Sequence, residues 1–358
     1  ICVSGTNGKS TTTAMLGLIL ERAGLDPTVI VGSKVATFPD GNLRLGRSDL
    51  LVLEACEHQA HFLHYHPWII VLTNIEEDHL DFYRDIGHIR ETFQEYVKKL
   101  PAGGALVLNA DDPVSMQLAR PDLFSTYGRT PDADHVVGDI EVKDGAQRFT
   151  VTAHEAEHHF SIGVPGNFNV MNAAAAISGA LMVGATRSVE MEDIQAALRD
   201  FNGIWRRFER IGESGGALVI SDYGHHPSAV AGTLQAARAF YPGRRIVLAF
   251  QPHHRNRTRR LFEEFVSSFD GADVLLLPEI YDVAGRDSEE DAEVSSAQLV
   301  DAVRARDASR GVERDVAFTG SLHDTLEEIR ARKKAGDIVL LMGAGNIYTL
   351  AHDLVPAS

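Results

Sequence analysis

Apolar runs of strand length alternate with helix-length segments over the first part of the chain. The runs are apolar at nearly every position, which suits central strands of a parallel sheet that are covered on both faces. The predicted strands are 1–5, 49–56, 67–75 and 104–112. The predicted helices are 8–24 and about 87–99. This alternation predicts an α/β domain built on a parallel sheet.

The pattern changes between residues 135 and 165. Polar and apolar positions alternate there around Asp144-Gly145, a dipeptide typical of a tight hairpin turn. Such alternation favours strands with one exposed face, so we expect a small antiparallel sheet attached to the same domain. Helices predicted at about 169–184 and 190–201 complete this part of the chain.

A second α/β pattern begins at about Arg206. The predicted strands are 217–223, 245–251, 273–281, 315–319 and 337–342. The predicted helices are 227–240, 257–269, 295–305 and 321–334. Pro227 is well placed as the first residue of its helix, where its missing N–H costs nothing. We therefore expect a first domain over residues 1–204 and a Rossmann-like C-terminal domain over residues 205–358.

Length and charge narrow the possible functions. The chain has 358 residues, more than one hydrophobic core usually holds. Its net charge of −16 argues against a nucleic-acid groove but permits nucleotide binding, because a phosphate loop and a metal ion set the local charge themselves. No run approaches the roughly 20 apolar residues that span a bilayer. We expect a cytoplasmic protein in which Cys2 and Cys56 are reduced thiols.

The first predicted strand and helix are joined by a phosphate-loop sequence. It consists of Gly5, Thr6, Asn7, Gly8, Lys9, Ser10 and Thr11. Backbone N–H groups and the positive end of the helix dipole face an anion in this setting, and glycine lets the backbone approach closely. Lys9 can reach the β- and γ-phosphates of a nucleotide, and the Ser10 hydroxyl can bind Mg²⁺. The full Walker pattern has glycine where this chain has Val3, so the motif alone indicates a nucleoside-triphosphate site without naming a reaction.

Five segments, in order along the chain, resemble the Mur ligase and folylpolyglutamate synthase superfamily. They are GTNGKSTT (5–12), LVLEACE (51–57), TNIEEDHLDFY (73–83), GNFNVMNAAAA (166–176) and SDYGHHP (221–227). Within the superfamily the sequence most resembles the branch that adds L-alanine. The segments that favour this branch are SDYGHHP, FQPHHRNRTRRLFEEF (250–265) and MGAGNI (342–347). Phe93 also favours it, because the branches that add later amino acids carry a lysine at that place.

The resemblance implies an ATP-dependent ligase of peptidoglycan precursor synthesis. Such an enzyme joins L-alanine to UDP-N-acetylmuramate through an acyl phosphate, using ATP and Mg²⁺. Neither nucleic acid nor a membrane is an expected partner. The family also has an N-terminal domain that holds the uridine end of the substrate, and we expect that domain to be absent from these 358 residues.

The resemblance also implies residues for ATP and for the metal. For ATP they are the loop 5–11, Asn74 near the γ-phosphate, Asn172 at adenine, Arg207 at the phosphates and Asp222 at the ribose. For Mg²⁺ they are Ser10, Glu54 and His79. An imidazole is an unusual ligand of Mg²⁺, so the assignment of His79 rests on the resemblance alone. Arg206 is the neighbouring alternative to Arg207, and Glu57 is a weaker candidate than Glu54.

A further group of residues is implied for the amino acid. It contains Tyr223, His225, His253, Arg257 and Arg259, with His225 preferred to His226. Basic residues at the start of a helix oppose its dipole, which favours a ligand-binding reason for the two arginines. Lys9, His79, Arg207 and His225 form the predicted catalytic set. The glycines at 343 and 345 lack the third glycine of a dinucleotide fingerprint, so NAD is not expected.

Two other kinds of function compete with this interpretation. One is a different ligase of the same superfamily, which either attaches a recycled cell-wall tripeptide to UDP-N-acetylmuramate or adds glutamate to folate. The other is a non-catalytic nucleotide-binding module derived from a ligase. The presence of Lys9, Glu54, His79 and Asp222 argues against the second.

Overall fold

The computed structural model of the protein describes residues 1–79, 82–119, 124–143, 145–282 and 294–355. The chain forms two compact units, Ile1–Trp205 and Arg206–Ser358. The first unit contains the strands β1 (Cys2–Ser4), β2 (Thr28–Ile30), β3 (Leu43–Arg44), β4 (Leu51–Glu54), β5 (Ile69–Leu72), β6 (Ala105–Asn109), β7 (Phe124–Gly128), β8 (His135–Lys143), β9 (Ala146–Ala153) and β10 (Ala156–Ile162). Its helices are α1 (Lys9–Arg22), α2 (Ile86–Val97), α3 (Pro113–Met116), α4 (Asn167–Gly184) and α5 (Met191–Arg199).

The strands of the first unit lie in one sheet with the order β10-β9-β8-β7-β6-β5-β1-β4-β2-β3. The strands from β8 through β2 in that order pair in parallel, whereas β3, β9 and β10 are antiparallel to their neighbours. Helices α1, α4 and α5 cover one face, and α2 covers the other. The central strands are therefore buried on both sides, as their unbroken apolar sequences predicted.

The antiparallel strands differ from the expected attachment. They extend the same sheet, because Tyr127 and Gly128 of β7 pair in parallel with His135 and Val136 of β8. The predicted turn residue Asp144 lies outside the described residues. Strands β2, β3 and β7 were not predicted. The first two have only three and two residues, and β7 reads Phe-Ser-Thr-Tyr-Gly, with too few apolar positions to stand out.

The second unit is a doubly covered parallel sheet with one antiparallel edge. Its strands are β11 (Glu209–Ser214), β12 (Ala217–Asp222), β13 (Ile246–Phe250), β14 (Val274–Pro278), β15 (Asp315–Gly320) and β16 (Ile338–Met342), in the order β11-β12-β16-β13-β14-β15. Its helices are α6 (Pro227–Phe240), α7 (Arg255–Arg260), α8 (Phe262–Ser268), α9 (Ser296–Ser309), α10 (Leu322–Arg332) and α11 (Leu350–Leu354). Only β11 runs antiparallel to its neighbour.

Two details of this unit depart from the sequence prediction. The single helix expected at 257–269 is two helices, which meet at Leu261, where the backbone leaves the helical region with φ −111° and ψ 28°. The edge strand β11 was not predicted, because Glu209–Ser214 contains one apolar residue and resembles a loop.

In the described part of the chain, no helix is both long and apolar enough to cross a bilayer. Cys2 and Cys56 are free thiols.

A buried ion pair fastens the end of α9 to the start of β15. Arg314 donates to both carboxylate oxygens of Asp307, at 2.6 and 3.0 Å, and also to the backbone oxygen of Phe269. The side chains of Arg314 and Asp307 are only 5% and 7% exposed. Two opposite charges placed in this environment stabilise the fold only as a pair, since either one alone would be buried without compensation.

We predict that Asp307→Asn lowers the free energy of unfolding by about 3–5 kcal/mol, because it leaves the Arg314 charge buried without its partner. Asp301→Asn is the matched control. Asp301 lies on the same helix and faces Arg304 at 3.8 Å, but its side chain is 79% exposed. Such a surface pair contributes about 0–1 kcal/mol. Urea unfolding of both variants measures the difference, and equal losses of stability would contradict the prediction.

Candidate functional site

The phosphate loop of the first unit contains two glycines at positions where any other residue would be strained. Gly5 has φ +127° and Gly8 has φ +83°, in the left-handed region that favours glycine. A Cβ atom on Gly5 would lie 2.2 Å from Thr73 Oγ1, and one on Gly8 would lie 2.1 Å from Asn172 Oδ1. Helix α1 begins directly after Gly8, and no side chain caps its first turn. Its first N–H groups are thus oriented for an anion.

The ammonium group of Lys9 is held inside this loop. Lys9 Nζ donates to the backbone oxygens of Gly5 and Thr6, at 2.5 and 3.0 Å, and to Glu57 Oε1 at 3.0 Å. Burial has the largest single effect on the pKa of Lys9 and lowers it, but the nearby charges, chiefly that of Glu57, together with the hydrogen bond to Glu57 raise that pKa above its usual value. The lysine is therefore positively charged and fixed beside the first turn of α1.

Strand β5 supplies a scaffold on the other side of the loop. Asn74 Oδ1 accepts a hydrogen bond from the backbone N–H of Asn7 at 2.8 Å, and the backbone oxygen of Asn74 accepts one from Thr6 at 2.9 Å. Thr73 Oγ1 donates to the backbone oxygen of Asn7 at 2.6 Å. Asn74, expected near the γ-phosphate, is thus placed at the loop and fixes its backbone.

Ser10 and Glu54 bring two oxygen ligands together at the end of β4. Ser10 Oγ donates to Glu54 Oε1 at 2.9 Å, and the other carboxylate oxygen accepts the N–H of Gly32 at 2.5 Å. Within the described ranges there is no group of three or more His, Cys, Asp or Glu side chains that could hold a metal ion. Mg²⁺ commonly takes one or two protein oxygens and completes its shell with phosphate and water, so the Ser10–Glu54 pair fits it.

His79, predicted for the metal, lies near the carboxylates of Glu57 and Asp78. Its Nε2 lies 3.7 Å from Glu57 Oε1 and 3.8 Å from Asp78 Oδ2, and its ring lies 4.5 Å from that of His58. The signature residues Leu80 and Asp81 lie outside the described residues. Glu57 therefore links Lys9 with His79, a role that sequence reasoning gave little weight. The available signal was a second acidic residue three positions after Glu54.

Asn172 and Phe93 lie in helices that pack on the two faces of this sheet. Asn172 is buried in α4, where its amide donates to Asn169 Oδ1 at 3.2 Å and its Oδ1 faces Gly8. This position puts Asn172 against the phosphate loop, and its contact with adenine stays a prediction. Phe93 is fully buried in α2 and meets the ring of Phe62 edge-on at 4.9 Å, so this position belongs to the core.

In the second unit, Asp222 ends β12 and is almost completely buried. Its two carboxylate oxygens accept the backbone N–H groups of Phe208 and Gly224, at 2.8 and 2.7 Å. Burial raises the pKa of Asp222, and Arg207 together with the two N–H donors opposes this shift without cancelling it. Asp222 thus fixes the segments on both sides of it, and its contact with a ribose stays a prediction.

The structure distinguishes the adjacent residues Arg206 and Arg207. The Arg206 guanidinium lies between the rings of Tyr223 and Tyr348, at 4.8 and 4.3 Å from their centroids, and donates to the backbone oxygens of Gly343 and Gly345. Arg207 lies 5.0 Å from the centroid of Tyr223 and is less buried. Arg206 thus has a structural position within its unit, and a phosphate contact of Arg207 stays a prediction.

Four of the five residues predicted for the amino acid come together at the carboxyl ends of β12 and β13. The His225 ring lies 5.3 Å from that of Tyr223 and 6.1 Å from that of His253, and Arg257 Nη1 lies 3.4 Å from His253 Nδ1. Arg259 is exposed two positions after Arg257 on α7, which is about 200° further round a helix. Its contact with the amino acid stays a prediction.

Sequence reasoning missed Tyr281, which stacks on His253. Their ring centroids are 5.6 Å apart with an interplanar angle of 10°, and the two residues pair as a parallel bridge. The signal in the sequence was an aromatic residue at the end of a predicted strand.

Gln251 also has a defined position, because its Oε1 accepts the N–H of Ile347 at 3.1 Å and holds the loop after β16.

Most of the chain matches family models of two Mur ligase domains. The family model of the Mur ligase middle domain matches residues 3–180, and that of the Mur ligase glutamate ligase domain matches residues 206–345. A UDP-N-acetylmuramate–L-alanine ligase from Desulfitobacterium hafniense is 36% identical over 356 residues, which cover 99% of this chain and 76% of that protein. The ligase of the same name from Burkholderia ambifaria is 40% identical over 358 residues, with 97% and 74% covered.

The chain belongs to the Mur ligase family. Members of the family are ATP-dependent ligases, so this Mur ligase is an enzyme that uses ATP. Solved structures agree with the fold. A UDP-N-acetylmuramate–alanine ligase from Thermotoga maritima has a TM-score of 0.81 at 24% identity and covers 99% of this chain and 74% of its own. A murein peptide ligase from Psychrobacter arcticus has a TM-score of 0.65 at 24% identity, with 99% and 76% covered.

We predict that Gly8→Ala lowers kcat/KM for ATP in this Mur ligase by at least roughly 10²-fold, the scale of losing a preorganised charge-stabilising contact. The added methyl group collides with Asn172 and forces the loop from its left-handed backbone. Gly24→Ala is the control. Gly24 follows the other end of α1 with φ +74°, and nothing lies within 4 Å of the added Cβ. Steady-state kinetics should show normal ATP use in the control only.

Proposed function

We propose that this Mur ligase joins L-alanine to UDP-N-acetylmuramate while ATP is converted to ADP and phosphate. The observation that carries the choice of reaction is the similarity to relatives named UDP-N-acetylmuramate–L-alanine ligase, which are 36% and 40% identical and cover 99% and 97% of the chain. The cytoplasm is the compartment we propose, because it supplies ATP.

The first unit contains the chemistry for ATP. In the proposed first step an oxygen of the muramyl carboxylate forms a bond to the γ-phosphorus, and the bond from that phosphorus to ADP breaks. Three anionic groups must then lie close together, so positioning and charge neutralisation dominate the catalysis. The N-terminus of α1 and the Lys9 ammonium are the groups suited to this task.

Mg²⁺ is proposed at the Ser10–Glu54 pair. When bound there, the ion would neutralise phosphate charge and orient the oxygens of the phosphates. Glu54 is well placed for this, because it ends a strand beside β1 and its carboxylate is already hydrogen-bonded to Ser10 Oγ. We propose His79 as a second contact for the metal and phosphate groups, held through Glu57.

The second unit contains a basic and aromatic cluster suited to an amino acid. In the proposed second step the amine nitrogen attacks the acyl carbon, phosphate leaves, and the amine loses a proton. Arg257 offers a fork of N–H donors for the amino-acid carboxylate, next to His253. His225 is the imidazole we assign to the amine, on a loop fixed by Asp222.

Turnover of the full-length enzyme tests the reaction. With ATP, Mg²⁺ and UDP-N-acetylmuramate, we expect phosphate release to require an amino acid and to be fastest with L-alanine among L-alanine, glycine, L-serine and a cell-wall tripeptide. Lys9→Ala should lower kcat by at least roughly 10²-fold, because a charge contact in the transition state is lost. Preference for the tripeptide would replace the proposal with a recycling ligase, and phosphate release without any acceptor would indicate a simple ATPase.

The metal assignment has its own test. We predict that Glu54→Gln raises the Mg²⁺ concentration needed for half-maximal activity by at least about tenfold, since a neutral amide replaces an anionic oxygen ligand. Glu95→Gln is the control, because Glu95 pairs only at the surface with Lys98, three positions further along α2. Magnesium titrations with an unchanged midpoint in Glu54→Gln would remove this residue from the metal site.

A further inference from the structure

Six contacts in the second unit form a closed ring around the carboxyl ends of its parallel strands. The Arg206 guanidinium contacts the Tyr223 ring, Tyr223 meets His225, His225 meets His253, His253 stacks on Tyr281, Tyr281 lies against Gly345, and Gly345 accepts a hydrogen bond from Arg206. Strands β12, β13, β14 and β16 each contribute residues that lie one to three positions after the end of the strand. The ring therefore ties together the ends of four neighbouring strands.

Arg206 is the member of the ring with the most demanding environment. Its side chain is buried, with the residue only 4% exposed. Its backbone has φ +55°, a conformation that residues other than glycine adopt only when the surroundings favour it. Its guanidinium lies over the rings of both Tyr223 and Tyr348, while two carbonyl oxygens, those of Gly343 and Gly345, accept its N–H groups. Both hydrogen bonds come from Nη2, so the planar guanidinium can contact the two aromatic rings while one of its nitrogens donates to the two carbonyl oxygens.

Arg206 is connected to His253 through the main chain at Gly345 and the side chain of Tyr281, both of which are closely packed. A Cβ atom on Gly345 would lie 2.7 Å from Tyr281 Cγ and 2.5 Å from Gln251 Oε1, so the main chain at this glycine lies directly against both side chains. Tyr281 is in turn fixed by backbone hydrogen bonds, from its N–H to Pro252 at 2.8 Å and to its oxygen from His254 at 3.0 Å. A shift of the loop at Gly345 is therefore passed to the ring of Tyr281 and to the imidazole stacked on it.

We infer that Arg206 is a positioning residue for the amino-acid substrate, which fixes Tyr223, His225 and His253 by closing this ring. The inference rests on the proposed function, since these three side chains are the ones assigned there to the amino acid. Arg206 touches Tyr223 directly and reaches His253 through Gly345 and Tyr281. Its effect should thus fall on the binding of the amino acid rather than on that of ATP.

Three variants and one control test the role of Arg206 without removing any residue assigned to a substrate. Arg206→Lys keeps the charge but loses the planar group that contacts the two tyrosine rings. Tyr348→Leu removes one ring face from Arg206, whereas Tyr348→Phe keeps that face. Tyr241→Leu is the matched control, because Tyr241 makes a similar contact with Arg244, 5.7 Å from its centroid, at the end of α6.

Arg206→Lys and Tyr348→Leu should raise the KM for the amino acid by about tenfold to thirtyfold, the factor for one buried cation–π contact. The KM for ATP should stay within about threefold of the wild-type value. Tyr348→Phe and Tyr241→Leu should leave both values unchanged. The KM values are measured with the amino acid that the wild-type enzyme prefers. If that amino acid is not L-alanine, the proposed function is refuted, but the variants still test the role of Arg206.

Three outcomes would overturn the inference. A rise in the KM for ATP with an unchanged KM for the amino acid would assign Arg206 to the nucleotide. A lower melting temperature with both KM values unchanged would leave it only a structural role. If Arg206→Lys fails to fold, the Tyr348 pair decides, because equal amino-acid KM values in Tyr348→Leu and Tyr348→Phe would exclude positioning through the stacked guanidinium.

Discussion

The parallel register of the central strands is the constraint on which both candidate sites depend. In the first unit Val3 pairs with Glu54 on one side and with Val71 on the other, so the chain leaves three neighbouring strands at nearly the same level. In the second unit Asp222 and Phe250 both pair with Met342. Polar residues that follow these strands are consequently brought to one edge of each sheet, although they are far apart in the sequence.

Three charged groups at these edges are held largely by the main chain. The Lys9 ammonium donates to two carbonyl oxygens of its own loop, Asp222 accepts two backbone N–H groups, and Arg206 donates to two glycine carbonyls. Backbone partners cannot rotate away as long side chains can. The charges are thus fixed before any substrate arrives, which is the condition for electrostatic stabilisation without reorganisation during the reaction.

The sequence predicted what is local and left open what depends on packing. Long apolar runs such as those of β5 and β13 can be recognised from the sequence alone, and the phosphate loop is a contiguous motif. The strands and the loop were therefore predicted in the right order. Pairs such as Lys9 with Glu57, 48 positions apart, depend on how two strand ends meet. Arg206 and Arg207 are identical residues side by side, and only the backbone at 206, with its positive φ, directs one guanidinium between two tyrosines.

The ten-stranded sheet of the first unit has two edges, and each is built so that another chain finds little to pair with. At one edge β3 is only two residues long. At the other, α5 packs over β10, and Gln195 of that helix donates to the backbone oxygen of His159 at 3.0 Å. Open strand edges are the usual starting points for intermolecular β-pairing. Because the antiparallel strands join this sheet, its outer edge lies at β10, away from the phosphate loop, where α5 packs on the strand and occupies the carbonyl of His159.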